Sequence, residues 1–195
     1  MEWRTFCAFE LPFDLRARLE DRIGRLRSNV PDVRASWTRP ENTHLTLKFF
    51  GNVPVDRLPS ISAAADHAAK HFSPIRIEVA KAGVFPNVNR ARVLWIGVND
   101  SSGELARLQR MLEEQCAIAG FPKEDRTFKP HLTIARIRTP EGARQLAEAH
   151  VRMEFESSEI TLNELIVFRS EPSSKGSKYT PISRHSLSRS PSSPR

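Results

Sequence analysis

Cysteine is scarce in this chain: two in 195 residues, Cys7 and Cys116, far apart and with no CxxC spacing. That pattern excludes a zinc ribbon and a disulfide framework, and leaves two reduced thiols expected in the core. No apolar run approaches the ~18 residues of a membrane span, and no charged-then-apolar leader opens the sequence, so a soluble cytoplasmic protein is expected. A GxxxxGK[ST] loop and a Rossmann glycine fingerprint are both missing, which disfavours an ATP-dependent ligase of the P-loop type. Acidic residues are absent from 173–195, where five Lys and Arg give that segment +5. The other 172 residues hold 25 basic against 23 acidic groups, so most of the net +7 belongs to the C-terminal stretch. Basicity is therefore a poor argument for a nucleic-acid-binding body.

What is present is a tetrapeptide that occurs twice, His44-Leu45-Thr46-Leu47 and His131-Leu132-Thr133-Ile134, with the histidines 87 positions apart. On a strand, alternate side chains share a face. His44 and Thr46 then project together, about 6.6 Å apart, and Leu45 and Leu47 point into a core; His131 and Thr133 repeat the arrangement. The surroundings repeat as well. Strand, helix, HxT strand, helix, strand describes both 3–80 and 92–168, with Phe6 lying 38 residues before His44 and Trp95 lying 36 before His131. The expected fold is α+β: two pseudo-symmetric lobes with mainly antiparallel sheets and outer helices, meeting at a cleft where the HxT strands face each other.

Apolar spacing predicts helices over 13–27 (with an arginine-rich solvated face), 55–72, 105–116 and around 143–147. Strands are predicted at 3–10, 33–37, 44–50, 75–80, 92–98, 131–137, 160–168 and 177–182, with a turn at 51–54 and a loop at 83–87. Residues 185–195, rich in Ser, Arg and Pro, read as a disordered tail beyond a single 1–184 domain.

Two imidazoles with unperturbed pKa values near 6.5 can hold opposite protonation states near neutral pH. One can take a proton from water while the other gives one to a leaving oxygen. Threonine hydroxyls can donate to phosphate oxygens, and a nearby Arg can neutralise their growing charge. Arg136 is available, but its five-residue offset from His131 puts it nominally on the opposite face. A two-histidine metal site lacks a recurring third ligand. Trp37 is a candidate base-stacking platform, Phe9 and Phe85 weaker ones; His67, His71, His150 and His185 carry no signal.

These motifs resemble the two-histidine (2H) phosphoesterase superfamily, most closely its RNA 2′,3′-cyclic phosphodiesterases, also called 2′-5′ RNA ligases. The resemblance spans about 1–184. It includes Arg4-x-Phe6-x-Ala8 with Leu11-Pro12, Trp37 before Arg39-Pro40-Glu41-Asn42, HLTLKFFG at 44–51 and Phe85-Pro86. RVLWIGV at 92–98, PHLTIAR at 130–136 and FRSEPSSKGSKYTPI at 168–182 complete it. Phe50 stands where many relatives have Leu, a packing change. The resemblance implies hydrolysis of a terminal 2′,3′-cyclic phosphate to a 2′-phosphate with no metal and no cofactor. His44 would be the proton donor and His131 the proton acceptor, with Thr46, Thr133 and Arg136 on the phosphate. The implied partner is RNA with cyclic phosphate ends, tRNA fragments among the candidates, acted on by a monomer away from membranes. Alternatives at the same site are 2′-5′ end joining and hydrolysis of a small cyclic nucleotide; a different class is a non-catalytic RNA- or nucleotide-binding module.

Overall fold

Leu15, Leu19, Ile23 and Leu26 recur at three- and four-residue steps, and they are the buried stripe of the first helix, α1 (Phe13–Asn29). The same logic builds α2 (Leu58–Ala69), α3 (Glu104–Ile118) and α4 (Ala143–Arg152). The strands are β1 (Glu2–Glu10), β2 (Ala35–Trp37), β3 (His44–Pro54), β4 (Ile75–Phe85), β5 (Val93–Asn99), β6 (His131–Ile137), β7 (Ser158–Leu162), β8 (Glu164–Glu171) and β9 (Lys178–Ser186). The structure, a computed structural model, describes residues 1–173 and 176–188.

Two sheets form, in the orders β3-β1-β8-β9 and β2-β6-β5-β4-β7, and every pairing in them is antiparallel. Helices α2 and α3 pack together on the first sheet, and α4, with α1 against it, on the second. One continuous apolar core joins the helices to the covered faces of both sheets. A second, small cluster of Phe6, Ala8, Ile166 and Phe168, with Tyr179 beside it, lies apart from that core.

The fold class is as expected, but the lobes are not the sequence halves. The first sheet takes β1 and β3 from the first half and β8 and β9 from the second, while β2 and β4 cross into the second sheet. Each HxT strand therefore belongs to a three-strand unit, β3-β1-β8 or β6-β5-β4, whose third strand comes from the other half. Three local expectations also change. Residues 51–54 continue β3 instead of turning, because Gly51 at φ +75° absorbs the irregularity and Val53 pairs with Trp3. The strand at 75–80 runs on to Phe85 through a bulge at Lys81. The single strand at 160–168 is two, broken at Asn163, where the chain leaves one sheet for the other.

The structured chain runs past 185. β9 continues to Ser186, His185 is buried, and Leu187 is buried in the main core with its amide on the Asn163 carbonyl at 2.7 Å. The ladder with β8 holds the chain to Ser186, and burial of the Leu187 side chain adds about 1.5–3 kcal/mol at its end. The rest of the expected tail, 189–195, lies outside the described residues.

Candidate active site

β3 and β6 lie against each other across the junction of the two sheets. Each begins with its histidine, and the two are held alike. His44 Nδ1 is 2.7 Å from the Asn42 carbonyl, and His131 Nδ1 is 2.7 Å from the Lys129 carbonyl. A carbonyl oxygen can only accept, so each Nδ1 carries the proton and donates it. That fixes the tautomer and leaves both Nε2 atoms free to exchange protons.

Each ring also has aromatic neighbours. His44 packs on Phe6 at 4.8 Å between centroids and meets Tyr179 edge-on at 5.2 Å. His131 meets Phe85 edge-on at 5.1 Å, with Trp95 at 6.5 Å. Trp95 lies flat over Gly83, its partner on β4: a Cβ there would sit 2.1 Å from the indole. Only glycine allows that approach, so Gly83 sets the height of the aromatic floor beneath His131.

Burial depresses the pKa of both imidazoles. A backbone hydrogen bond partly restores each, and the Arg136 charge lowers both further; for His44, His131 adds to the effect. The two rings and the guanidinium thus share one electrostatic field.

Arg136 reaches that field because of a bulge. Trp95 pairs with Thr133 and Leu94 with Ala135, which leaves Ile134 as an extra residue. Ile134 and Ala135 are both buried, the alternation resets, and Arg136 emerges exposed on the face of His131 and Thr133. β3 carries the same device. Ala8 pairs with Thr46 and Cys7 with Lys48, so Leu47 is extra and Phe49 emerges at the position matching Arg136. Arg4 stacks on Phe49 at 4.6 Å. The two sides of the pseudo-symmetric cleft therefore differ in what they present at this position. The His131 side has a guanidinium with no ion-pair partner among the described residues, and the His44 side has an aromatic ring under a guanidinium. The same bulge turns Lys48 into the interior, where Nζ meets Glu113 Oε2 at 2.6 Å and the Pro122 carbonyl at 2.8 Å.

Thr46 and Thr133 are half-buried beside their histidines, and neither hydroxyl has a protein partner among the described residues. Trp37 is not with them. It pairs with Ala135, which points to the core, and it packs partly on that core from the reverse face of the sheet. Phe9 is fully in the core. Phe85 does reach the site, and Phe6 and Tyr179, with no role assigned from sequence, complete the wall around His44. Their only signal was membership of the motifs at 4–8 and 168–182.

One remaining expectation is corrected here. Arg22 is not on a solvated face: it is buried and donates to the carbonyls of His150, Met153 and Glu154, closing the end of α4. His150 is also buried, with Nε2 donating to the Trp95 carbonyl at 3.0 Å and Nδ1 facing Arg22 Nε at 3.4 Å.

The family model described as the 2′-5′ RNA ligase superfamily matches residues 15–173. The chain belongs to that superfamily. It is 33% identical over 183 residues to an RNA 2′,3′-cyclic phosphodiesterase of Methanothermobacter thermautotrophicus, covering 92% of this chain and 96% of that protein. An Archaeoglobus fulgidus protein of the same name is 36% identical over 135 residues, 69% and 73% of the two lengths. Among solved structures, a Thermus thermophilus protein aligns at a TM-score of 0.76 with 27% identity, covering 95% of this chain and 98% of that one. E. coli LigT crystallised with 3′-AMP aligns at 0.73 with 24% identity, over 96% and 99%, a likeness of fold. No helix among the described residues is long and apolar enough to cross a membrane.

Proposed function

We propose that this protein hydrolyses RNA 2′,3′-cyclic phosphodiester ends to 2′-phosphomonoesters by acid–base catalysis from its two histidines, without a metal. The observation that carries the reading is the matched pair of imidazoles, each with Nδ1 committed to the carbonyl two residues before it and Nε2 free. The superfamily and the relatives' printed names supply the substrate.

His131 Nε2 removes a proton from water as the water oxygen attacks phosphorus. The bond from phosphorus to the 3′ oxygen breaks, and His44 Nε2–H gives its proton to that oxygen. A 2′-phosphate and a 3′-hydroxyl result, and the two histidines regain their starting states by exchange with solvent. Thr46 and Thr133 donate to the non-bridging oxygens, and Arg136 neutralises the charge that grows there. Which histidine is acid and which is base follows the superfamily. Joining of 2′ and 5′ ends is the same displacement with a ribose 5′-hydroxyl in place of water: its oxygen attacks phosphorus, the bond to the 3′ oxygen breaks, and a 2′-5′ phosphodiester and a 3′-hydroxyl result. The reading places a monomer in the cytoplasm, with cleaved tRNA as one source of ends.

The test is turnover of a cyclic-phosphate-ended RNA. Wild type should release a 2′-phosphate end, indifferent to EDTA. His44→Ala and His131→Ala should each lose on the order of 10²–10⁴ in rate while keeping the fold. Near-normal rates in either variant would overturn the assignment, and loss of activity on chelation would overturn its metal independence. Tight binding of 2′-phosphate ends with no turnover would identify a binding module instead.

A further inference from the structure

The antiparallel ladder continues one pair past β2 and β6. The Arg138 amide donates to the Arg34 carbonyl at 2.8 Å, so Arg34 and Arg138 stand opposite each other beyond Ala35 and Ile137. Ile137 is buried and both arginines are exposed, which puts them on the face that carries Ser36, Arg136, Thr133 and His131. Arg138 Nε donates to Ser36 Oγ at 2.7 Å and is held over that face.

Like charges directly opposite in a ladder cost stability, yet among the described residues neither guanidinium has a carboxylate within ion-pair distance. Glu141 feels Arg34 only weakly: its lowered pKa comes first from its own backbone amide, then from Thr139. The pair opens into a groove of about 810 Å³ whose walls include Arg27, Ser28 and Trp37, and among the described residues no acidic one lines it. β2 is the edge strand of its sheet, so a groove along its free edge takes the arginines from one face and the indole from the other. Arg27 suits the carbonyl end of α1, but helix electrostatics give no reason for Arg34 and Arg138. An unneutralised row of guanidiniums beside an indole is what a single-stranded polynucleotide selects, phosphates on the cations and a base against the ring.

We infer that this groove binds the single-stranded RNA on the 5′ side of the reacting end. Arg138, Arg34 and Arg27 neutralise its phosphates, and Trp37 offers one base a face. The inference rests on the proposed cyclic-end hydrolysis. Seven residues of strand separate His131 from Arg138, on the order of 20 Å. A mononucleotide held at the histidines does not span that distance, and an oligonucleotide does. The groove thus makes the protein an oligonucleotide enzyme through KM.

The experiment compares wild type with Arg27→Gln/Arg34→Gln and with the triple variant that adds Arg138→Gln. Arg76→Gln/Arg110→Gln, which removes two exposed charges elsewhere, is the control. Steady-state kinetics on a cyclic-phosphate-ended oligonucleotide and on a 2′,3′-cyclic mononucleotide are paired with fluorescence-anisotropy binding of a 2′-phosphate-ended oligonucleotide across a salt series. The expected result is a rise of about tenfold or more in KM for the oligonucleotide. Its kcat and the mononucleotide's constants should not change, and the log–log salt slope should be shallower by roughly 0.7 per lost phosphate contact. An unchanged oligonucleotide KM, or an equal rise in the control, would overturn the inference. If no protein turns over a cyclic phosphate, the hydrolytic reading fails, and the binding arm still decides the groove. Weaker, less salt-sensitive binding in the groove variants supports it, and affinities equal to wild type refute it.

Discussion

Arg136 lowers the pKa of both imidazoles, behind burial as the main cause in each. Replacing it with Gln removes a cation that opposes the charged ring and also one that steadies the phosphate. Both limbs of the pH profile of kcat/KM should therefore move to higher pH, while kcat/KM itself falls by about 10²–10³, the usual cost of one lost transition-state donor. A profile that drops without moving would show that its charge does not act on the histidines. His150 makes a second prediction. Its pKa is pushed down to about 4, first by burial, with Arg22 adding to the effect against the hydrogen bonds to the Trp95 and Gly83 carbonyls. The unfolded chain, with an imidazole near 6.5, then binds more protons than the native one between those values. The stability contributed by neutral His150 is complete above pH 6.5 and is lost as pH falls toward 4, up to about 3 kcal/mol. Urea unfolding as a function of pH, in wild type and His150→Gln, isolates this contribution. The variant should show a flatter dependence, and parallel curves would refute it.

At the scale of the element, paired bulges explain both what the HxT strands do and what could be read from them. Strict alternation puts Lys48 beside His44 and Thr46, and Arg136 on the far side from His131. The extra residues Leu47 and Ile134 reverse both. Lys48 is then 3% exposed against Glu113, which also accepts from Gln109 Nε2 at 3.3 Å and ties β3 to α3. Lys48→Met would leave a buried carboxylate unpaired, at a cost of about 3–5 kcal/mol. Lys48→Met/Glu113→Leu should recover most of that in urea midpoints, and an equally unstable double variant would contradict the account. The helices were legible because a 3.6-residue stripe is local, and the two histidines and threonines were legible because alternation holds for their first three residues. A bulge is a mismatch between two strands, absent from either strand taken singly, so the sides of Arg136 and Lys48 were not. The side taken by Trp37 was not legible for a related reason: three residues of β2 contain too little pattern to show a face, and only pairing with Ala135 assigns one.

For the whole molecule, duplication in sequence does not mean two independent halves. Each histidine strand needs a neighbour's neighbour from the other half: β3 is backed through β1 by β8, and β6 through β5 by β4. Residues 1–87 hold β1 and β3 without β8 and β9, and hold β2 and β4 with no strand between them. Residues 88–195 hold β7 stripped of its partner, β4. The main core likewise draws on every helix and on both sheets, so neither fragment can bury its share of apolar surface. Cutting the chain between Asn87 and Val88 should give two pieces that each lack a cooperative unfolding transition, while mixing them restores native circular dichroism and, with it, cyclic-phosphate turnover. The intact chain should unfold in one step, with tryptophan fluorescence and activity lost at the same urea concentration. A fragment that folds by itself, or an intact chain that unfolds in two steps, would mean that the lobes are separable and that the cleft is a docking of finished parts. The strand order argues the reverse: neither lobe is complete until the chain has crossed between them, so the two histidines come together in the same event that forms the core.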